Sequence, residues 1–384
     1  MLLKGGKAYR ALYAEKQMSD RIRAFGSPLR YIQGAGEFAH IPEYAKSYGR
    51  ACYIIDGFLY EDVKERLRKL YEGNESEFQA ICFEGECCQE EIDRILKLAD
   101  GKETGVFVGI GGGKTLDTAK LCADESGRSI FIVPSSASTD APVSEIAVLY
   151  TKDGEYIGSK KVKRNADLVI VDSEIIVKAP KRLFLAGIAD ALATCFEAEV
   201  CEKTKAPNYI GKGYLSCKAG MAISRCCQDI IFQDSFAALK ALEAGTVTEE
   251  FENVVEANIL LSGLGFLNTG LATAHGIHSG LTALSETHKY LHGEKVAFGI
   301  VCQLILENAD KEKLDKTLTF MTKMGLPVTL GDVGVTGTEE NIRTIAQKTV
   351  GGPLVHHEEQ EVTLDLLCEV IRKADATGKK YKSS

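Results

Sequence analysis

Four of the chain's seven histidines, His275, His278, His288 and His292, fall within eighteen residues, in the segment AHGIHSGLTALSETHKYLH. Imidazoles held on either side of a connection can converge on one ion, although histidines in an apolar helix are more commonly satisfied core residues. Both readings are open at this point. A second oddity lies upstream: Phe184 to Val200 reads as a largely apolar helix with one acid, Asp190, in its first half. Burying a carboxylate without a partner is costly. A metal would resolve both oddities by taking one Asp190 oxygen and two imidazole nitrogens, with a position left for substrate. Alternatively, Asp190 pairs with a base or caps a neighbouring helix.

A glycine run, Gly109-Ile110-Gly111-Gly112-Gly113-Lys114-Thr115, closes an apolar stretch and opens a helical one. Backbone amides and a helix N-terminus then point at one place, which suits a pyrophosphate, and glycines permit close approach. The run departs from the G-x-x-x-x-G-K-[ST] and G-x-G-x-x-G patterns, so a simple tight strand-to-helix turn is the competing reading. Asp56 ends an apolar run just before Gly57. It is placed either to accept hydrogen bonds from an adenosine ribose, repelling a 2′-phosphate and selecting NAD over NADP, or to cap the helix that follows.

These residues need elements to hold them. The first half alternates short β-branched runs with helical patterns, the signature of parallel strands joined by crossover helices. Strands are predicted over Ala51 to Ile55, Phe78 to Phe83, Gly105 to Ile110, Ser129 to Val133 and Leu168 to Val171. Helices are predicted over Glu61 to Tyr71, Glu90 to Ala99 and Leu116 to Asp124. Glu145 to Thr151 and Tyr156 to Val162 flank an Asp153-Gly154 pair and predict an antiparallel hairpin. After Ala179-Pro180 long helical patterns take over, and a domain boundary is expected near residue 180. The fold class is therefore an α/β Rossmann-like N-terminal domain followed by an all-α C-terminal domain. Residues 1–180 form the dinucleotide-binding part and 181–384 a helical metal- and substrate-binding part.

A length of 384 residues favours two domains over one. With a net charge of −8 and scattered cations, the chain lacks the basic block that tracks nucleic acid. It has no apolar run long enough to cross a membrane and no signal-peptide core, so a cytoplasmic location without membrane partners is expected. The twelve cysteines show no C-x-x-C spacing and sit mostly in apolar segments, as reduced buried thiols do.

Taken together, GIGGGKTLDTAK, SASTDAP, GIADALAT, and AHGIHSG followed by LHGEKVAFG resemble the glycerol dehydrogenases of the metal-dependent, group III alcohol dehydrogenase superfamily. The resemblance runs from about Arg30 to the C-terminal helices and leaves residues 1–20 as an extension, with Met18 as a start closer to the family's length. It implies a dehydroquinate synthase-like architecture and NAD-dependent oxidation of glycerol or a similar vicinal diol. It makes Asp190, His275 and His292 ligands of Zn²⁺. It sets Asp140 beside the substrate hydroxyls, with His278 as a second candidate for proton relay. It gathers Asp56, Gly111, Gly112, Gly113, Lys114, Thr115, Asp117, Ser135 and Thr139 around NAD. A homo-oligomer, an octamer as in relatives, is also implied.

Two departures stand out. Iron-type relatives carry a histidine one helical turn after the aspartate, where this chain has Thr194, which favours three ligands and zinc. Many glycerol dehydrogenases read Phe-Glu-Ser-Gly-Gly where this chain reads Phe266-Leu267-Asn268-Thr269-Gly270, a change that bears on which polyol is taken. A phosphorylated polyol would need nearby cations, and the matching segments offer only Lys289 and Lys295.

Overall fold

A computed structural model describes residues 22–72, 77–99 and 104–383. The extension 1–20 and Met18 lie outside the described residues. Six parallel strands form one sheet: β1 (Tyr31–Gly34), β2 (Arg50–Asp56), β3 (Phe78–Phe83), β4 (Thr104–Gly111), β5 (Ser129–Pro134) and β8 (Leu168–Asp172). A separate antiparallel pair, β6 (Ile146–Tyr150) and β7 (Tyr156–Lys161), is the hairpin that the Asp-Gly turn predicts. Runs such as Ala51–Ile55 form strands because they are short, largely apolar and end on β-branched residues, and every residue in that run is buried, as parallel strands covered on both faces are.

The sheet order is β1-β8-β5-β4-β2-β3. From β2 the chain steps outward to β3, then returns to the other side of β2 for β4 and continues away through β5 and β8. The direction of winding therefore switches between β2 and β4, and ligands of such sheets bind beyond the carboxyl ends of the strands at that switch. The register Ile55↔Ile110 brings those two ends, Asp56 and Gly111, side by side. The predicted strands all form; β1 does not stand out in the sequence. Its four residues, YIQG, are half-buried and include a polar glutamine, so no apolar run marks it.

The chain divides into two compact units. One contains Ser27–Phe184 together with Ala237–Gly263; the other contains Leu185–Phe236 and the residues from Leu264 on, with residues 22–26. The first carries the sheet. The second is helical, built on Lys181–Thr204, Lys218–Ala244, Thr273–Leu281, His292–Leu306 and the helices to Lys382. The return of Ala237–Gly263 to the sheet-bearing unit has no sequence signal, because the Lys218–Ala244 helix runs through the change without a break. No single helix among the described residues is long and apolar enough to cross a membrane. All twelve cysteines are free thiols, and burial pushes several up, Cys52 to about 12, away from reactive thiolate.

Candidate metal centre and dinucleotide loop

In the helical unit, Asp190 lies in the middle of Lys181–Thr204, a helix buried almost all round at this point. Asp190 itself is 1% exposed, and neither of its carboxylate oxygens accepts a conventional hydrogen bond among the described residues. What it faces instead are two imidazoles. Its Oδ1 lies 3.3 Å from His275 Nε2 and 3.2 Å from His292 Nε2, and these two nitrogens are 3.2 Å apart. Tetrahedral ligands about 2.0–2.1 Å from a zinc ion are separated by about 3.3 Å, so the three donor atoms already have the spacing of one metal's coordination shell. Among the described residues this is the one group of its kind.

Local sequence explains how three elements meet so closely. His292 is the first residue of its helix, fixed by the Glu294 carboxylate, which accepts the Leu291 amide at 2.7 Å. Next to it, Gly293 packs on the Asp190 helix: a Cβ at 293 would stand 1.9 Å from the Ala186 carbonyl oxygen, one turn before Asp190. His275 sits in the first turn of Thr273–Leu281. Its Nδ1 is 2.6 Å from Glu197 Oε2. His292 Nδ1 is 3.0 Å from His278 Nε2. Each candidate ligand ring thus has a partner on its far nitrogen, which leaves both Nε2 atoms directed at the Asp190 oxygen.

The charges agree with a cation between them. Burial opposes a charged ring at His275, yet the Glu197 and Asp190 carboxylates hold its pKa well above the ordinary imidazole value. Burial also opposes ionisation of Asp190, and the two histidines nonetheless hold its carboxyl below the usual carboxylate range. Two carboxylates around one imidazole call for positive charge, supplied by a proton or a metal. His278 is held low by burial and then by His292 and Lys295, so it stays neutral and can accept the His292 Nδ1 proton. At the position of the histidine expected in iron-type relatives, the Thr194 methyl packs on the Ser262–Thr269 helix, 2.4 Å from where a Cβ on Gly265 would lie.

Not every histidine of the cluster joins the group: His288 Nε2 instead approaches the Thr282 carbonyl at 3.3 Å. Leu267 and Asn268 are fully buried, and the Asn268 side chain clamps residue 26 by donating to Gly26 O and accepting from Gly26 N. Glu197, with no exposed surface, carried no signal of its own, although its spacing of seven from Asp190 puts both acids on one helix face.

In the sheet-bearing unit, the glycine run sits at the switch between β2 and β4. Gly112 is extended and caps the Gly113–Ser126 helix. A Cβ on Gly111 would come 2.7 Å from the Asp56 Cβ and 3.1 Å from the Thr115 Cβ, so glycine is required there by the neighbouring strand end. At Gly113 a Cβ would meet nothing within 4 Å. Asp56 does not cap the turn at Gly57–Leu59; its Oδ2 accepts the Thr115 hydroxyl at 3.1 Å and the Gly112 amide at 3.4 Å. A cleft of 370 Å³ opens here, lined by Asp56, Gly57, Phe83, Gly85, Gly112, Gly113 and Lys114. Lys114 lies over the Tyr150 ring and pairs with Glu86.

Asp117 stands apart from that cleft. It is 5% exposed, and its carboxylate accepts the Val148 amide at 2.9 Å and the Lys120 ammonium at 3.1 Å. One oxygen thus braces the hairpin at Val148, and the other holds Lys120, which itself donates to Ile146 O at 3.0 Å. Ser135 bonds through its amide to Gly111 O at 3.0 Å, and the Thr139 hydroxyl accepts the Ala141 amide at 3.4 Å. Asp140 is oriented by Ser262, whose hydroxyl donates to its Oδ2 at 2.6 Å. Asn258 donates to Ala137 O at 3.0 Å, bracing the same loop. Both come from a helix widened to a π turn over Ala257–Leu261, a feature frequent at functional sites, and neither residue was marked by sequence spacing.

Residues 28–173 match the family model described as iron-containing alcohol dehydrogenase. A glycerol dehydrogenase of Thermotoga maritima is 42% identical over 364 residues, 93% of this chain and 98% of that protein. A glycolaldehyde reductase of Halobacterium salinarum is 36% identical, with 93% and 98% covered. The crystal structure of a probable glycerol dehydrogenase from Sinorhizobium meliloti superposes with a TM-score of 0.86 at 42% identity, covering 94% of this chain and 99% of that one.

Proposed function

The chain belongs to the glycerol dehydrogenases of the iron-containing alcohol dehydrogenase family, and on that premise we propose that it oxidises glycerol or a similar vicinal diol to the hydroxyketone with NAD. The observation that carries the reading is the Asp190, His275 and His292 triad, three donor atoms at coordination spacing, one of them from a buried carboxylate with no conventional hydrogen-bond partner among the described residues.

Asp190, His275 and His292 would hold a divalent cation, with zinc favoured by nitrogen and oxygen donors and by the occupied position at Thr194. Such a cation supplies Lewis acidity that lowers the pKa of a substrate hydroxyl, while NAD supplies the hydride acceptor. The rest falls to the chain's own groups. Glu197 and His278 hold the two imidazoles with their Nε2 atoms free. Asp140, turned by Ser262, accepts a hydrogen bond from the second hydroxyl of a diol. Gly113 and Thr115 would present amides to a pyrophosphate at a helix N-terminus beside Gly112, with Lys114 turning from Glu86 to supply a cation. Asp56 sets its charge against a 2′-phosphate.

His278 acts through His292 in this scheme and is a positioning residue, with Asp140 the group that touches substrate. A phosphorylated polyol fits poorly, because Lys295 is 7% exposed and Lys289 lies over the Tyr290 ring. We further propose a homo-oligomeric, cytoplasmic enzyme; among the described residues no single helix is both long and apolar enough to cross a membrane. The test is NADH formation by the purified, zinc-loaded protein across glycerol, 1,2-diols, 1,3-diols and monoalcohols, with both dinucleotides. Turnover confined to vicinal diols with NAD is expected. Equal turnover of monoalcohols would remove the diol assignment.

A further inference from the structure

We propose that Glu197 is a positioning residue for the metal centre: one buried carboxylate fixes both the backbone and the ring tautomer of His275, and so sets the metal affinity. The proposal rests on the triad reading above.

Three donors converge on this side chain. Its Oε1 accepts the Ala272 amide at 2.8 Å and the His275 amide at 2.9 Å, and its Oε2 meets His275 Nδ1 at 2.6 Å. Ala272, which precedes the first turn of the Thr273–Leu281 helix, has no capping side chain of its own. The carboxylate therefore satisfies two otherwise orphaned amides and places a negative charge at the positive end of that helix. The same group is an acceptor only, so the proton between it and the ring resides on Nδ1. When a metal rather than a second proton supplies the positive charge, Nε2 is the atom left to hold it, 3.3 Å from Asp190 Oδ1 and 3.2 Å from His292 Nε2.

Position does the rest. Glu197 follows Asp190 by seven residues, close to two helical turns, so one face of one helix supplies both a metal donor and the group that orients a second donor. Any tilt of that helix would move Asp190 and His275 together, which keeps their spacing. With no exposed surface on Glu197, water cannot take over as acceptor.

Two substitutions separate orientation from capping. Glu197→Gln keeps shape and an oxygen for the two amides, but turns an NH₂ toward Nδ1, which drives the ring proton to Nε2, the donor atom. Glu197→Ala removes cap and orientation together. Zinc dissociation constants are measured by competition with a chromophoric chelator, alongside melting of the metal-free proteins. The expected result is that Glu197→Gln melts near the wild type but binds zinc roughly 10- to 100-fold more weakly, the usual effect of losing such a partner. Zinc binding by Glu197→Gln within threefold of wild type, in a folded protein, overturns the proposal. Should the variant fail to fold, long-range ¹H–¹⁵N spectra of zinc-loaded wild type decide: a protonated His275 Nδ1 is required, and a bare Nδ1 overturns the assignment. Absence of zinc binding by wild type would overturn the triad reading instead, and this proposal with it.

Discussion

Gly293 and Ala186 touch where two ligand-bearing helices cross, with space for no Cβ between the glycine and the Ala186 carbonyl. That contact seats His292 beside Asp190, because the side chains flank the crossing by one residue and one turn. Gly293→Ala must push the helices apart. We expect it to cost about 1–3 kcal/mol of stability, as overpacking does, and to lose zinc as well. Thermal melting and metal analysis check both; full zinc occupancy would mean that the crossing does not set the donor spacing.

Ser262 turns Asp140, so two variants should behave alike on one class of substrate. Asp140→Asn and Ser262→Ala are expected to lower kcat/KM for vicinal diols far more than for a monoalcohol, the former by at least tenfold, or about 1.4 kcal/mol. Zinc content should stay near that of the wild type. Equal losses on diols and monoalcohols would place Asp140 in the proton path instead, and no loss would make it a turn residue.

Dinucleotide choice tests Asp56. A preference for NAD over NADP of at least tenfold, about 1.4 kcal/mol, is expected, and Asp56→Ser should narrow it. Because Asp56 also accepts from Thr115 and Gly112, the variant should loosen the loop and raise KM for NAD itself. An unchanged preference, with KM raised, would leave Asp56 as a loop brace alone.

Burial pushes the Glu358 carboxyl from its ordinary 4.5 up to about 8, with nearby Glu307 and Glu197 adding to it and the Thr273 hydroxyl opposing it. The folded chain thus binds this proton more tightly than the unfolded one. The stabilisation is fully present below the ordinary value and is lost as pH rises through about 8. Metal-free protein should therefore weaken between pH 5 and 8 with a slope approaching about 1.4 kcal/mol per pH unit from this group. Glu358→Gln should flatten the profile and stabilise the protein at pH 8.5. Denaturant unfolding across pH measures this, and identical profiles for the two proteins would contradict it.

Much of the site was legible in the sequence, for reasons that differ by residue. The glycine run and Asp56 were visible because a buried strand followed by glycines has few uses, and the switch between β2 and β4 brings them together as doubly wound sheets do. Asp190 was visible as a lone acid in an apolar helix. Glu197 was hidden among Glu199 and Glu202, since only packing distinguishes a fully buried acid from the partly exposed ones beside it. Asn258 and Ser262 were hidden more deeply. A π turn shifts which residues share a helix face, so a 3.6-residue period misplaces everything beyond it. The resemblance sets Asp117 near the dinucleotide, and nothing in its sequence position marks the hairpin amide that it also holds.

The most direct measurement of the central claim is metal stoichiometry after exposure to zinc and removal of excess ion, for wild type and for Asp190→Asn, His275→Ala and His292→Ala. The account predicts one zinc per wild-type chain, and for each variant a sharp loss of zinc and of NADH formation while circular dichroism shows a folded protein. Full zinc occupancy in any one of the three folded variants would contradict it, by showing that the ion is held somewhere other than at these three donors.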